Sequence, residues 1–113
     1  MRNTSQWVEI GALDDLIPGT GAAVRIRGRQ IAVFRTDDGL FALDNRDPFS
    51  DANVLSRGLT GDIAGRLVVA SPVYKQHFCL KTGECLEDEQ QKVQSYPVDV
   101  RDGRVFVSAP GVA

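Results

Sequence analysis

One histidine, His77, and two cysteines, Cys79 and Cys85, are the whole supply of imidazole and thiol in these 113 residues. Any mechanism that needs two imidazoles is excluded by that count. Zinc wants four protein ligands in a structural site, or three and a water in a catalytic one. With no Cys-x-x-Cys present, these three residues do not make such a site. A surplus of charge is also missing: 13 basic residues stand against 15 acidic ones, a formal net charge of −2. That balance leaves no electrostatic footprint for nucleic acid or an anionic membrane. No window approaches the roughly 20 apolar residues of a membrane-spanning helix, and the stretch from Met1 to Trp7 is not followed by the apolar core of a secretory leader. The expectation is a cytoplasmic protein with reduced cysteines and with neither nucleic acid nor membrane as partner.

Helical period is lacking too, since no apolar pattern of three turns or more occurs. What is present is alternation. With 42% hydrophobic and 25% charged residues the composition is that of a globular domain, and this length has room for one core, so a single domain over 1–113 is expected. Trp7 to Ile10 is a short strand signal ending at Gly11, followed by a connection with one helical turn through Leu13-Asp14-Asp15-Leu16-Ile17. Ala22 to Arg27 sets Val24 and Ile26 on one face, Gly28-Arg29 turns the chain, and Gln30 to Arg35 returns with Ile31 and Val33 aligned. Thr36-Asp37-Asp38-Gly39 turns again into Leu40 to Leu43. Leu67 to Ala70 and Gln76 to Leu80 read as further strands. Gln94 to Arg101 and Arg104 to Ser108 flank Asp102-Gly103, the strongest hairpin signal in the chain. The class is all-β.

Residues 44 to 65 hold no sustained period and crowd together Asp44, Asn45, Asp47, Pro48, Ser50, Asp51, Asn53, Gly58, Gly61 and Gly65. Long irregular segments in compact domains are usually functional, so a site is expected here. Other candidates reduce to bland readings. Pro18-Gly19-Thr20-Gly21 lacks the Lys-Ser/Thr ending of a phosphate loop and opens onto a strand, so it is a turn. His77 and Cys79 point the same way on one strand but have no third group to orient a base. Cys79 and Cys85 lie symmetrically about Thr82, where a hairpin would let them face each other. Glu87-Asp88-Glu89 reads as a solvated loop.

Two segments, Asn45-Arg46-Asp47 and Ser71-Pro72-Val73-Tyr74 with the following Lys75-Gln76-His77-Phe78-Cys79-Leu80-Lys81-Thr82-Gly83, stand where a bipartite signature would be. The chain resembles the Rieske fold, whose loops carry Cys-x-His and Cys-Pro-x-His. That resemblance implies stacked antiparallel sheets, with residues 44–92 corresponding to a former cluster-binding subdomain and two loops at its tip. The four ligand positions are Asn45, Asp47, Ser71 and Tyr74, so the resemblance also implies that no cofactor is held in this chain, because amide, carboxylate, hydroxyl and phenol do not replace thiolate and imidazole. Within the fold the chain is similar to the small subunits of NAD(P)H-dependent assimilatory nitrite reductases. The similarity rests on Gln30-Ile31-Ala32-Val33-Phe34-Arg35, Asp44-Asn45-Arg46-Asp47-Pro48-Phe49-Ser50, Asn53-Val54-Leu55-Ser56-Arg57-Gly58, Ser71 to Gln76 and Thr82-Gly83-Glu84-Cys85-Leu86.

What this implies is a non-catalytic accessory subunit. The large catalytic subunit would hold sirohaem, an iron–sulfur cluster and FAD and reduce nitrite to ammonium. The tip would present Arg46, Phe49, Arg57, Tyr74, Lys75 and His77 as a docking face, Arg, Tyr and Phe being common interface anchors. An equal reading has Asn45, Asp47 and Ser71 simply hydrogen-bonding the loop backbones, with Tyr74 packed over them. The alternatives are a Rieske ferredoxin-type electron carrier, which requires iron, and a free-standing interaction module.

Overall fold

The computed structural model describes residues 7–109. Twelve strands follow one another: β1 (Trp7–Ala12), β2 (Gly21–Ile26), β3 (Arg29–Thr36), β4 (Gly39–Asp44), β5 (Arg46–Asp47), β6 (Ala52–Asn53), β7 (Leu59–Ile63), β8 (Arg66–Ala70), β9 (His77–Cys79), β10 (Ser95–Tyr96), β11 (Val98–Arg101) and β12 (Arg104–Ser108). Among the described residues the helical segments are single 3-10 turns at Leu13–Asp15 and Leu55–Arg57. The class is all-β, as the alternation implies.

The strands form sheets ordered β10-β4-β3-β2, β1-β12-β11, β7-β8-β9 and the two-stranded β5-β6. The four-stranded sheet is the middle layer because Ile31, Ala32, Val33 and Phe34 of β3 are all buried, a continuous apolar run being what a strand covered on both faces requires. Ile31, Val33 and Ala42 pack with Tyr96 and Val107 on the side of β1, β11 and β12. Ala32, Phe34 and Leu43 face the other way, against Leu55, Val69, Phe78, Leu80 and Val93 of the smaller subdomain. Phe34 and Phe78 are fully buried, each contributing about 2–3 kcal/mol by removal from water. Where the middle sheet ends, the Tyr96 hydroxyl donates to Asp44 Oδ1 at 2.5 Å. Burial, then that carboxylate, pushes the phenol up to about 12.

Four segments depart from the sequence reading. The first hairpin turns at Arg27 and Gly28, both at positive φ, one residue earlier than expected; a two-residue loop of this twist needs positive φ at both positions. β1 runs past Gly11 to Ala12, its register shifting between Glu9 and Gly11, as at a bulge. The single strand expected from Gln94 to Arg101 is two, β10 on the middle sheet and β11 on the outer one. Pro97 sits between them, without an N–H to continue a ladder. Finally, the aperiodic stretch 44–65 ends in β7, which pairs with β8 along its whole length.

Candidate functional site

The two loops meet at a buried polar cluster. Asn45, Asp47 and Ser71 are each 1% exposed or less. Asn45 fastens the first loop: its Oδ1 accepts from the Ser56 N–H at 2.7 Å, and its Nδ2 donates to the Asn53 carbonyl and to Gln30 Oε1. Asp47 joins the loops, accepting from the Phe49 N–H at 2.8 Å through Oδ1 and from the Ser71 hydroxyl at 2.5 Å through Oδ2. Ser71 Oγ in turn accepts from the Val73 N–H, and the Ser71 carbonyl from the Lys75 N–H. A buried polar group is tolerated only when its bonds are made, and here every one of the three is partnered. The loop-fastening reading of these three residues therefore agrees with the geometry. Tyr74, beside them, is 60% exposed.

A Rieske-type cluster needs two thiolates on one iron and two imidazoles on the other. The four apical positions supply neither, and three of them are already bonded to each other or to the loop backbones. Nor do the described residues bring together three or more of His, Cys, Asp and Glu as a metal site. These donors do not fit the cluster.

The six residues expected at a docking tip are not equivalent. Arg57, Tyr74 and Lys75 are exposed. Arg46 pairs with Asp51 on the outer side of the first loop. Phe49 turns inward, half-buried, its ring 6.2 Å from that of Phe78. His77, on β9, is held by Glu87, which accepts from the His77 N–H at 2.7 Å and meets its Nδ1 at 2.6 Å. Glu87 is thus not the free solvated acid read from the sequence. The hairpin sets Leu86 opposite His77 and Cys85 opposite Phe78, one residue away from the register that symmetry about Thr82 implies. Partial burial pushes the Glu87 carboxyl up, but hydrogen bonds from His77 outweigh it and hold it below its ordinary value of 4.5. The stabilisation is then complete above pH 4.5 and lost as pH falls through the lower folded value. Glu87→Gln is expected to reduce stability at pH 7 by less than about 1 kcal/mol, the range of half-exposed pairs. The gap from wild type, read by urea denaturation, should narrow as pH falls below 4.5; a gap independent of pH would contradict the pairing.

The cysteines do not face each other. Cys85 pairs with Phe78 and shares its core side, whereas Cys79 on the next position points to the opposite face. Both are buried and free. Burial pushes both thiols up; for Cys79, hydrogen bonds from Thr82 and Arg66 outweigh it and hold that thiol below its ordinary value, while Cys85 stays raised.

Among the described residues no helix is long and apolar enough to cross a membrane. The profile of the Rieske-like [2Fe-2S] domain family matches residues 6–108. A protein of Salmonella typhimurium named nitrite reductase (NADH) small subunit is 50% identical over 103 residues, covering 89% of this chain and 95% of that one. A crystal structure from Mycobacterium tuberculosis, described as an NADH-dependent nitrite reductase small subunit, superposes with a TM-score of 0.89 at 47% identity, over 94% of this chain and 96% of its own. A Klebsiella oxytoca protein named nitrite reductase [NAD(P)H] large subunit is 46% identical over 101 residues, which are 89% of this chain but 11% of that one.

Proposed function

Because this chain belongs to the Rieske-like [2Fe-2S] domain family, and within it to the small subunits of NAD(P)H nitrite reductase, we propose that it is a non-catalytic, cytoplasmic accessory subunit that docks on the large catalytic subunit and supports its reduction of nitrite to ammonium. The large subunit would carry sirohaem, an iron–sulfur cluster and FAD, and this chain no redox group. The carrying observation is the Klebsiella relative, in which a stretch like this domain lies inside a polypeptide named as the large subunit. A domain that is separate in one lineage and covalently attached in another gains from being near the same partner, since a tether supplies only effective concentration.

The side chains favour a structural part over an electron carrier. Where a cluster would join the two loops, the Ser71 hydroxyl and the Asp47 carboxylate join them instead, a link that uses no iron. Exposed Arg57 and Tyr74 are residue types that anchor interfaces.

The test is to purify the large subunit alone and to add this chain. Co-elution on a sizing column and a rise in nitrite-dependent NAD(P)H oxidation that saturates at a fixed stoichiometry are expected, with the isolated small chain colourless and free of iron. Failure to co-elute, together with unchanged turnover at saturating chain, would sink the accessory role. Stoichiometric iron in the chain, with the absorption of a [2Fe-2S] centre, would restore the electron-carrier reading.

A further inference from the structure

An antiparallel sheet with one face on the core ordinarily turns polar residues to water on the other. The sheet β7-β8-β9 does not. Thr60, Leu67, Val69 and Phe78 lie on its inner side, Leu67, Val69 and Phe78 in the core. The register Leu59↔Ala70↔His77, Gly61↔Val68 and Ile63↔Arg66 puts Leu59, Ile63, Val68 and Ala70 on the outer side, with His77 and Arg66 as the polar residues among them. Leu59 there is 80% exposed and Ile63 38%. A shallow groove of about 260 Å³ runs between Leu59, Ile63, Val68, Ala70 and His77. Across Leu59 and Ala70 it continues into a smaller hollow lined by Arg57, Gly58, Pro72 and Lys75. Val73 and Tyr74, both exposed, extend the same loop.

The rim of this face is cationic. The Arg57 guanidinium has no hydrogen-bond or ionic partner among the described residues, and Lys75 Nζ reaches only the Pro72 carbonyl. Of the other charges at this face, Arg66 pairs with Glu84 and His77 with Glu87, while Asp62, toward the far end of the groove, accepts only from the Gly65 N–H. In a chain of net charge −2, two unmatched cations beside an exposed apolar strip select a partner surface that is apolar in the middle and acidic at one edge.

We propose that the outer face of β7-β8-β9, bordered by Arg57 and Lys75, is the seat of the large subunit. Contact is thus centred on the flank of the small subdomain, and of the loop apices it takes in only the Pro72–Lys75 side. This rests on the accessory-subunit reading, names the surface it uses, and makes Leu59 the central anchor.

The test measures the dissociation constant between the chain and the purified large subunit, by calorimetry at two salt concentrations. Leu59→Glu is expected to weaken binding at least about tenfold, as loss of a buried anchor does. Arg57→Glu with Lys75→Glu should weaken it comparably and flatten its salt dependence. Ile17→Glu, at an exposed apolar site on another loop, should leave it unchanged, and near-normal melting of every variant would exclude misfolding. Binding lost at Arg46→Glu but intact at Leu59→Glu would place the seat at the apex and overturn the flank. Self-association of wild type that Leu59→Glu abolishes, with binding to the large subunit intact, would overturn it in favour of a second copy. No association of wild type with the large subunit at all would overturn the accessory reading beneath it.

Discussion

Asp47→Ala is expected to lower the stability of the fold by about 2–4 kcal/mol, read as a fall in the urea midpoint at unchanged slope. The cost does not come from lost volume. It comes from stranding two donors in a dry place: the Phe49 N–H and the Ser71 hydroxyl both depend on this one carboxylate, and a buried donor without an acceptor costs about 1–3 kcal/mol. For a domain whose total stability is on the order of 5–15 kcal/mol, that is a substantial share. Ser71→Ala should be costly by the same logic, because it leaves Asp47 Oδ2 without its donor and the Val73 N–H without its acceptor. The double variant separates this account from a generic packing loss. With both partners gone, neither is left facing an empty place, so the combined cost should fall short of the sum by about 1 kcal/mol or more. Strict additivity would mean that the two loops are held by something other than this bond.

The same cluster shows why the sequence was informative about some levels and mute on others. The middle sheet was readable because Val24 with Ile26 and Ile31 with Val33 recur at a period of two between turn residues; that Ala32 and Phe34 are buried as well, on the other face, is what the structure adds. The loop residues Asn45, Asp47 and Ser71 could be located, and their lack of sulfur and imidazole was plain. Their mutual bonding was foreseen only as one of two readings, since which lone pair meets which N–H depends on loop geometry. β7 went unseen for a more instructive reason. Its apolar residues, Leu59 and Ile63, point away from the core, Gly61 interrupts them, and the inward positions are Thr60 and Asp62, so the alternation is inverted. Its turn is equally disguised, with Ala64 at positive φ before Gly65 in place of the usual Asn or Asp. A strand shaped for something outside the chain does not look like one shaped for its own core. Glu87 was missed because a run of three acids is normally solvated, and only the hairpin brings one of them back to His77.

Three glycines divide backbone strain from collision, and their alanine variants should rank in a definite order. Gly19 sits at φ +83 with open space where a Cβ would be, so Gly19→Ala isolates the left-handed penalty, about 1–2 kcal/mol. Gly58 has an ordinary φ of −74, yet its Cβ would lie 2.2 Å from the Ala70 carbonyl oxygen and 2.7 Å from a methyl of Val69. Backbone cannot step aside as a side-chain end can, so the overlap must displace β8 from β7, at about 3 kcal/mol or more. Gly83 combines both faults, with φ +83 and a Cβ 2.0 Å from the Val93 carbonyl oxygen, at the place where the Val93 N–H bonds the Gly83 carbonyl. Gly83→Ala should be the worst of the three, losing more than about 4 kcal/mol. Calorimetric melting of the three variants checks the order. Gly58→Ala carries a second consequence, since Gly58 lies between Arg57 and Leu59 and sets the distance from the cationic rim to the apolar groove. Its residual folded fraction should bind the large subunit more weakly than Gly19→Ala at matched folded concentration. Equal melting of Gly58→Ala and Gly19→Ala would show that the first loop and β8 are not packed as tightly as the Ala70 carbonyl implies.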